Sequence, residues 1–332
     1  MEILRPSYFD QFHCIAGACP DSCCKEWAVV VDESSAEYYR QLPGDLGDAL
    51  RSAMTEEDGD IILALTPDRR CPMWRDDGLC RIQAQLGEAA LCNTCTQFPR
   101  LRHDYGTFVE LGLELSCPEA ARLILSDTHC QCSMQTVPGG EEPEYAPEDM
   151  EVLLRSREAV LEFLKTDTYT PGEMLAVMLL YGYAVQNHLD GGEEAVLAPE
   201  TDLARARSLA RGGNPDALLN FFRGLEILTP QWQERLESPS PAPWSVEFLA
   251  LARYFVSRYW LQAISDLDLV GRVKLAVVSC LLIRQLGGDL LHTAQLFSKE
   301  IENDASNIDA ILDAAYTSPA LADLHLLDLL LS

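Results

Sequence analysis

Eleven of the chain's twelve cysteines lie before residue 133, and four of them fall in the eleven-residue stretch CIAGACPDSCC (14–24). Thiols at that density have to be held by disulfides, by a metal, by redox chemistry or by burial, and each option requires different neighbours. The opening MEILRPSYFDQFHC has no basic segment followed by an apolar run. No stretch reaches the roughly eighteen uninterrupted apolar residues of a membrane span, so neither export signal nor span is expected and the cytoplasm is the expected location. A reducing compartment disfavours stable disulfides and moves the cysteines toward metal binding or catalysis. The exception is Cys280, which sits in the apolar run VVSCLLI and reads as a small buried hydrophobe.

The rest of the chain divides around that thiol-rich region. Residues 133–149, SMQTVPGGEEPEYAPED, combine prolines, glycines and acids and read as a linker. Before it, strand-like runs WAVVVD (27–32) and FVELGLEL (108–115) alternate with helix candidates at 79–91 and 117–126. After it, long apolar stretches recur at helical spacing, broken once by SPSPAPW (238–244), and Pro171 and Pro215 suit helix first turns. The expected fold is therefore mainly α: a small irregular α+β cysteine-rich metal-binding domain over 1–132, the linker, and an all-α helical bundle over 150–332.

Charge narrows the partners. The net charge is −27, from 52 acidic and 25 basic residues. It is spread as −11 over residues 1–140 and −16 over the remainder. Such a surface excludes nucleic acid as a partner and suits a soluble protein or a basic protein substrate.

Thiolates prefer soft or borderline metals, and a four-thiolate site needs loops that turn toward one point. The contexts match: Gly17 lies between Cys14 and Cys19, Cys19, Cys71 and Cys117 each precede a proline, and Cys80 follows Leu79 and Gly78. Adjacent Cys23 and Cys24 cannot point to one side of an extended chain, so the count permits two sites or a single site with additional structural thiols. Only Cys92 and Cys95 show C-x2-C spacing, and the C-x3-C-x2-C pattern of radical enzymes is absent. Zinc and iron–sulfur chemistry both remain open at this point. No Gly-rich nucleotide motif, HExxH or GxSxG occurs. His13 and His103 are candidate proton carriers or ligands. Asp21, Asp32, Glu110, Glu114 and Glu119 are candidate bases, and Tyr8, Trp27 and Trp74 are candidates for contact with a cation.

Several spaced motifs occur in one order. They run from Tyr8 and Phe12 through Cys14, Gly17, Cys19, Asp21, Cys23 and Cys24 to Trp27; then Cys71-Pro72 and Gly78-Leu79-Cys80; then Thr94-Cys95 with Phe98-Pro99-Arg100; then LSCPEAARL (115–123). Together they resemble the flagellin lysine N-methylase family, closely over residues 8–125 and loosely over 248–290. The resemblance implies transfer of methyl groups from S-adenosylmethionine to lysines of flagellin, the protein substrate, by an enzyme with a four-iron–four-sulfur (4Fe-4S) cluster. It implies metal ligands among Cys14, Cys19, Cys23, Cys24, Cys71, Cys80, Cys95 and Cys117, and leaves Cys92, Cys130 and Cys132 unassigned. The alternative is a non-enzymatic zinc- or iron-chelating protein whose helical domain binds a protein partner.

Overall fold

The computed structural model describes residues 1–57, 59–127 and 132–332. The alternating segment FVELGL forms β6 (Phe108–Leu113), which turns back at Gly106 onto β5 (Arg100–Asp104). Gly106 has φ +77° and lies against the backbone of Glu141 and Pro143, a position that favours glycine. The chain's first residues supply β1 (Glu2–Pro6), which runs parallel to β6 with Glu2 opposite Phe108. On the other side of β1 lies antiparallel β7 (Cys132–Thr136), giving the order β5-β6-β1-β7. A second sheet, β2-β4-β3, joins β2 (Val29–Val30), β4 (Asp60–Leu63) and β3 (Met54–Glu57).

Around the second sheet lie α1 (Glu33–Gln41), α2 (Gly44–Ala53), α3 (Arg81–Leu86) and α4 (Asn93–Gln97). The segment PEAARLILS forms α5 (Pro118–Ser126), with its proline in the first turn and four of its apolar residues buried. Residues 133–149, expected to be a linker, begin inside β7 and end in the first turn of α6 (Pro147–Phe163).

The all-helical character expected of residues 150–332 is present. The chain continues through α7 (Pro171–Leu189), α8 (Pro199–Leu209), α9 (Asp216–Arg223), α10 (Pro230–Glu237) and α11 (Glu247–Tyr259). It ends with α12 (Leu269–Leu286), α13 (Leu290–Phe297), α14 (Ala305–Thr317) and α15 (Asp323–Leu330). Pro171 opens α7 behind a capping box in which Thr170 and Glu173 bond each other's backbone. Pro215 stands one place earlier than expected, as the N-cap of α9.

The sequence LVGRVKLAVVSCLLIRQL is apolar on all sides, which is what a central helix requires. Sixteen of the eighteen residues of α12 are buried, Cys280 among them. Helices α7, α11 and α14 surround it. Gly182 lets α7 come close, since a Cβ there would lie 2.9 Å from a methyl of Val273. Each fully buried aliphatic or aromatic side chain contributes about 1.5–3 kcal/mol, so this packing dominates the energetics.

Two hydrophobic cores result. The larger one unites the helices of residues 150–332 with α5 and the β5–β6 hairpin, through Phe108, Leu113, Leu115 and Ile124. The smaller one gathers Val29, Val31, Tyr39, Leu50, Leu63, Met73 and Ile82 beneath the second sheet. Residues 1–132 are thus shared between both. Among the described residues no helix is long and apolar enough to cross a membrane.

Candidate functional site

The small core is where the thiols gather. Cys71 and Cys92 are buried in it, and Cys24, Cys80 and Cys95 pack against it. Local structure explains how distant segments meet there. The Cys71 N–H donates to Cys24 O at 2.7 Å, and Glu26 N–H donates to Arg69 O at 2.8 Å. Arg69 returns the contact through its guanidinium, to Glu26 O at 2.9 Å and to the Glu26 carboxylate at 3.1 Å. Glu26 and Arg69 both have positive φ, 75° and 57°, as does Ala16 at 49° in the first cysteine loop. Non-glycine residues in that region are strained, and here the strain flanks the cysteine segments. A turn closed by Trp74 N–H on Cys71 O, with Gly78 at φ +79°, brings Cys80 back beside Trp74. Cys80, Cys92 and Cys117 then serve as the N-caps of α3, α4 and α5.

Packing separates the remaining cysteines. Cys117 lies against the large core, while Cys14, Cys19 and Cys23 belong to the loop between the two cores. Cys19 is near enough to feel charge on Cys14 and Cys23, and Cys117 feels Cys19 and Cys23. Cys95 feels Cys92, Cys24 and Cys71. Cys23, whose thiol hydrogen-bonds that of Cys24, connects the two groups. The eight family-position thiols therefore fall into a loop set, Cys14, Cys19, Cys23 and Cys117, and a core set, Cys24, Cys71, Cys80 and Cys95. Cys92 joins the core set, which its C-x2-C spacing with Cys95 had signalled. Cys132 begins β7 opposite Pro6, and Cys130 lies outside the described residues.

Burial and mutual hydrogen bonds make Cys19, Cys23, Cys71, Cys95 and Cys117 reluctant acids. Burial pushes Cys71 and Cys117 up to about 11. The hydrogen bond with Cys24, and then burial, raise Cys23. Cys92 and Cys95 share one proton: the bond from Cys95 lowers Cys92 to about 7, and the same bond holds the Cys95 proton in place. A bound cation would supply the compensating charge. The donors suit a soft metal or an iron–sulfur cluster in kind and number. Among the described residues, no three Cys, His, Asp or Glu side chains converge closely enough, as they stand, to hold a metal ion.

Asp21 fastens the first cysteine loop to the helices. Its carboxylate meets Lys25 Nζ at 2.7 Å and Lys299 Nζ at 2.9 Å, and accepts from Gln295 Nε2 at 2.9 Å. Gln295 also donates to Ser116 O, next to Cys117. Burial alone would raise the Asp21 carboxyl, but the bonds from Lys25 and Lys299 outweigh it and hold it below the usual range.

The other sequence candidates have structural partners. Asp32 caps α1 through Ser35 N–H and accepts from Asn93 N–H, joining α1 to the Cys92–Cys95 turn. Glu119 pairs with Arg122. Trp27 packs near Phe98, Trp74 lies under the Arg70 guanidinium, and Tyr8 packs against the large core. His13 is exposed.

His103 and Glu110 lead to a feature that the sequence did not reveal. A cavity of about 110 Å³ lies between the β5–β6 hairpin, α6 and α11. Glu110 in its wall is held by both Nη atoms of Arg157, at 2.8 and 2.5 Å. Arg258, 10% exposed, stands 3.4 Å from Glu302, 1% exposed, and donates to Tyr254 Oη at 2.6 Å. The hydroxyls of Tyr254 and Tyr259 both donate to Glu302, and burial keeps these phenols protonated. Glu114 accepts from Ser116 Oγ close by, its carboxyl raised by burial. His103 Nε2 is buried with no hydrogen-bond partner among the described residues. The imidazole lines this cavity and also a broader one of about 1000 Å³ bordered by Asp104, Glu141, Glu142 and Glu144.

The chain is similar to three curated proteins, each 34% identical over 133 residues, 38% of its length. One is the flagellar biosynthetic protein FliU of Salmonella muenchen, of which the match covers 78%. The others are the lysine-N-methylases of Salmonella typhimurium and Salmonella choleraesuis, and of these the chain spans about a third of the length. No family model and no solved structure matches the chain.

Proposed function

Since the chain belongs to the flagellin lysine N-methylase family, we propose that it transfers methyl groups from S-adenosylmethionine to lysine side chains of flagellin, with an iron–sulfur cluster or another soft metal held by the thiols described above. The observation that carries this reading is the convergence of five cysteines from four separate segments on one small core, in a chain whose relatives are named as lysine methylases. Such a gathering suits metal ligation better than packing, because five thiols add little apolar area for the order they impose. A cluster bound there would cross-link the loops that carry its ligands.

The chemistry sets further requirements. A lysine in water has a pKa of about 10.4, so on the order of one amine in a few thousand is neutral near pH 7. The protein has to remove the ammonium proton before nitrogen can attack carbon. A carboxylate beside the amine would stabilise the charged form and oppose this. The abundant acids therefore serve better as a surface that attracts lysine-rich flagellin segments than as the lining of the reaction centre.

Purification without oxygen, followed by iron, zinc and sulfide analysis, tests the metal. Labelled S-adenosylmethionine with purified flagellin tests the transfer. Brown protein with iron and sulfide in similar amounts, incorporating label into flagellin, is the expected result. Colourless, zinc-loaded protein that transfers nothing would put the metal-chelating alternative ahead.

A further inference from the structure

The narrow cavity beside His103 has features that a protein surface of this charge does not require. Its walls are largely apolar, with Leu101 and Leu111 from the hairpin, Leu161 from α6 and Ala250 from α11. Its charged lining is arginines held by carboxylates: Arg157 by Glu110, Arg258 by Glu302 and Arg5 by Asp10, with Arg253 bonded to backbone carbonyls. Glu110 is fully engaged by Arg157. His103 stands between this cavity and the broader acidic one.

We propose that the narrow cavity receives the side chain of the acceptor lysine and strips it of its proton, with His103 as the proton acceptor. This rests on the lysine-methylase reading and locates its substrate. The apolar walls match the four methylenes of lysine, and about 110 Å³ suits a single unbranched side chain. The acidic basin attracts the cationic segment, whereas the apolar walls and the loss of water disfavour the ammonium inside. Burial, with the charge of Arg258, holds the His103 imidazole below its usual value against the opposing pull of Glu110, so the ring is neutral and has a lone pair available. The ammonium gives one proton to His103. The nitrogen lone pair then bonds to the methyl carbon of S-adenosylmethionine as the carbon–sulfur bond breaks, and its electron pair stays on sulfur as the thioether. The product is a methylated ammonium, and His103 releases the proton to solvent.

Ser257 lies exposed on α11 at this cavity, where a larger side chain obstructs entry without disturbing the core. In Ser257→Trp, methyl incorporation into flagellin should fall about 100-fold or more. Metal content, and retention of S-adenosylmethionine in equilibrium dialysis, should stay at the parental level. In His103→Gln, kcat should fall about 10²–10⁴-fold with little change in KM for flagellin. Parental transfer rates in Ser257→Trp would overturn the proposal. So would loss of donor retention in that variant, which would make the cavity the donor's. If the parent protein itself transfers nothing, the methylase reading falls and takes this proposal with it, whereas equal transfer by parent and variant removes the proposal alone.

Discussion

The large helical core and the small thiol-lined core are held together by different means. The first is continuous from α5 to α15, organised around a helix buried on all sides. The second has twelve buried residues, two of them cysteines, and is assembled from short elements tied by a few backbone bonds and the Glu26–Arg69 clasp. A core of that size supplies little net stability unless something else cross-links it. The difference indicates where a bound metal would matter to the fold: the helices pack around a continuous core of their own, whereas the small core would gain a cross-link from one.

Removing a metal bound as proposed should therefore separate the two regions most. In metal-loaded protein, a strong chelator should abolish amide protection across residues 24–98, a local loss of up to about 10 kcal/mol, while α7, α11 and α12 keep theirs. Equal loosening of both regions in hydrogen exchange would contradict the division. The converse change is Phe255→Ala, at a side chain with no exposure in the large core. It should cost about 3–5 kcal/mol in denaturant unfolding and leave metal content unchanged. Smaller than either is Asp21→Ala, which severs the tie from the first cysteine loop to Lys299 and Gln295. It should cost about 1–3 kcal/mol and make residues 14–24 more sensitive to protease, with the helices unaffected.

The smallest effect concerns the buried network beside the narrow cavity. Burial raises the Glu114 carboxyl, with Arg258 and the Ser116 hydroxyl opposing. A raised folded-state value means that Glu114 favours the native state when protonated, and that this contribution is lost as pH rises through the raised value. Glu114→Gln should accordingly gain in stability on the parent protein as pH rises above the ordinary carboxylate range, read from denaturant unfolding at a series of pH values. A gain that shrank with rising pH would reverse the sign and place Glu114 among ionised partners.

The two regions also differed in how far the sequence disclosed them. Helical spacing revealed α6, α7, α9, α11, α12 and α14 because each buries an apolar face, and Pro171 marked the start of one. Helices such as α8, which buries only Leu203 and Ala206, and α10, which buries only Trp232 and Leu236, have too few apolar positions for a period to show. Strand β1 was invisible for a different reason: its partners are β6 and β7, more than a hundred residues away, and EILRP has no alternation of its own. At the site, cysteine density identified the thiol region. Its partition did not follow from spacing, because Cys117 caps a helix of the large core while Cys24, one residue from Cys23, faces the small one. The Arg258–Glu302 network and the His103 cavity join residues far apart in the chain, each of ordinary type where it stands.

The chain has only four lysines, and all are engaged by carboxylates: Lys25 and Lys299 by Asp21, Lys165 by Glu162 and Lys274 by Asp323. Lys274 is also buried, donating to the carbonyls of Ala315 and Leu321. A protein that modifies amines risks consuming its donor on neighbouring copies of itself. If the proposed methylation takes place, Lys274 is out of reach of a neighbouring copy, and the Asp21 contact that anchors the first cysteine loop holds both Lys25 and Lys299 against it.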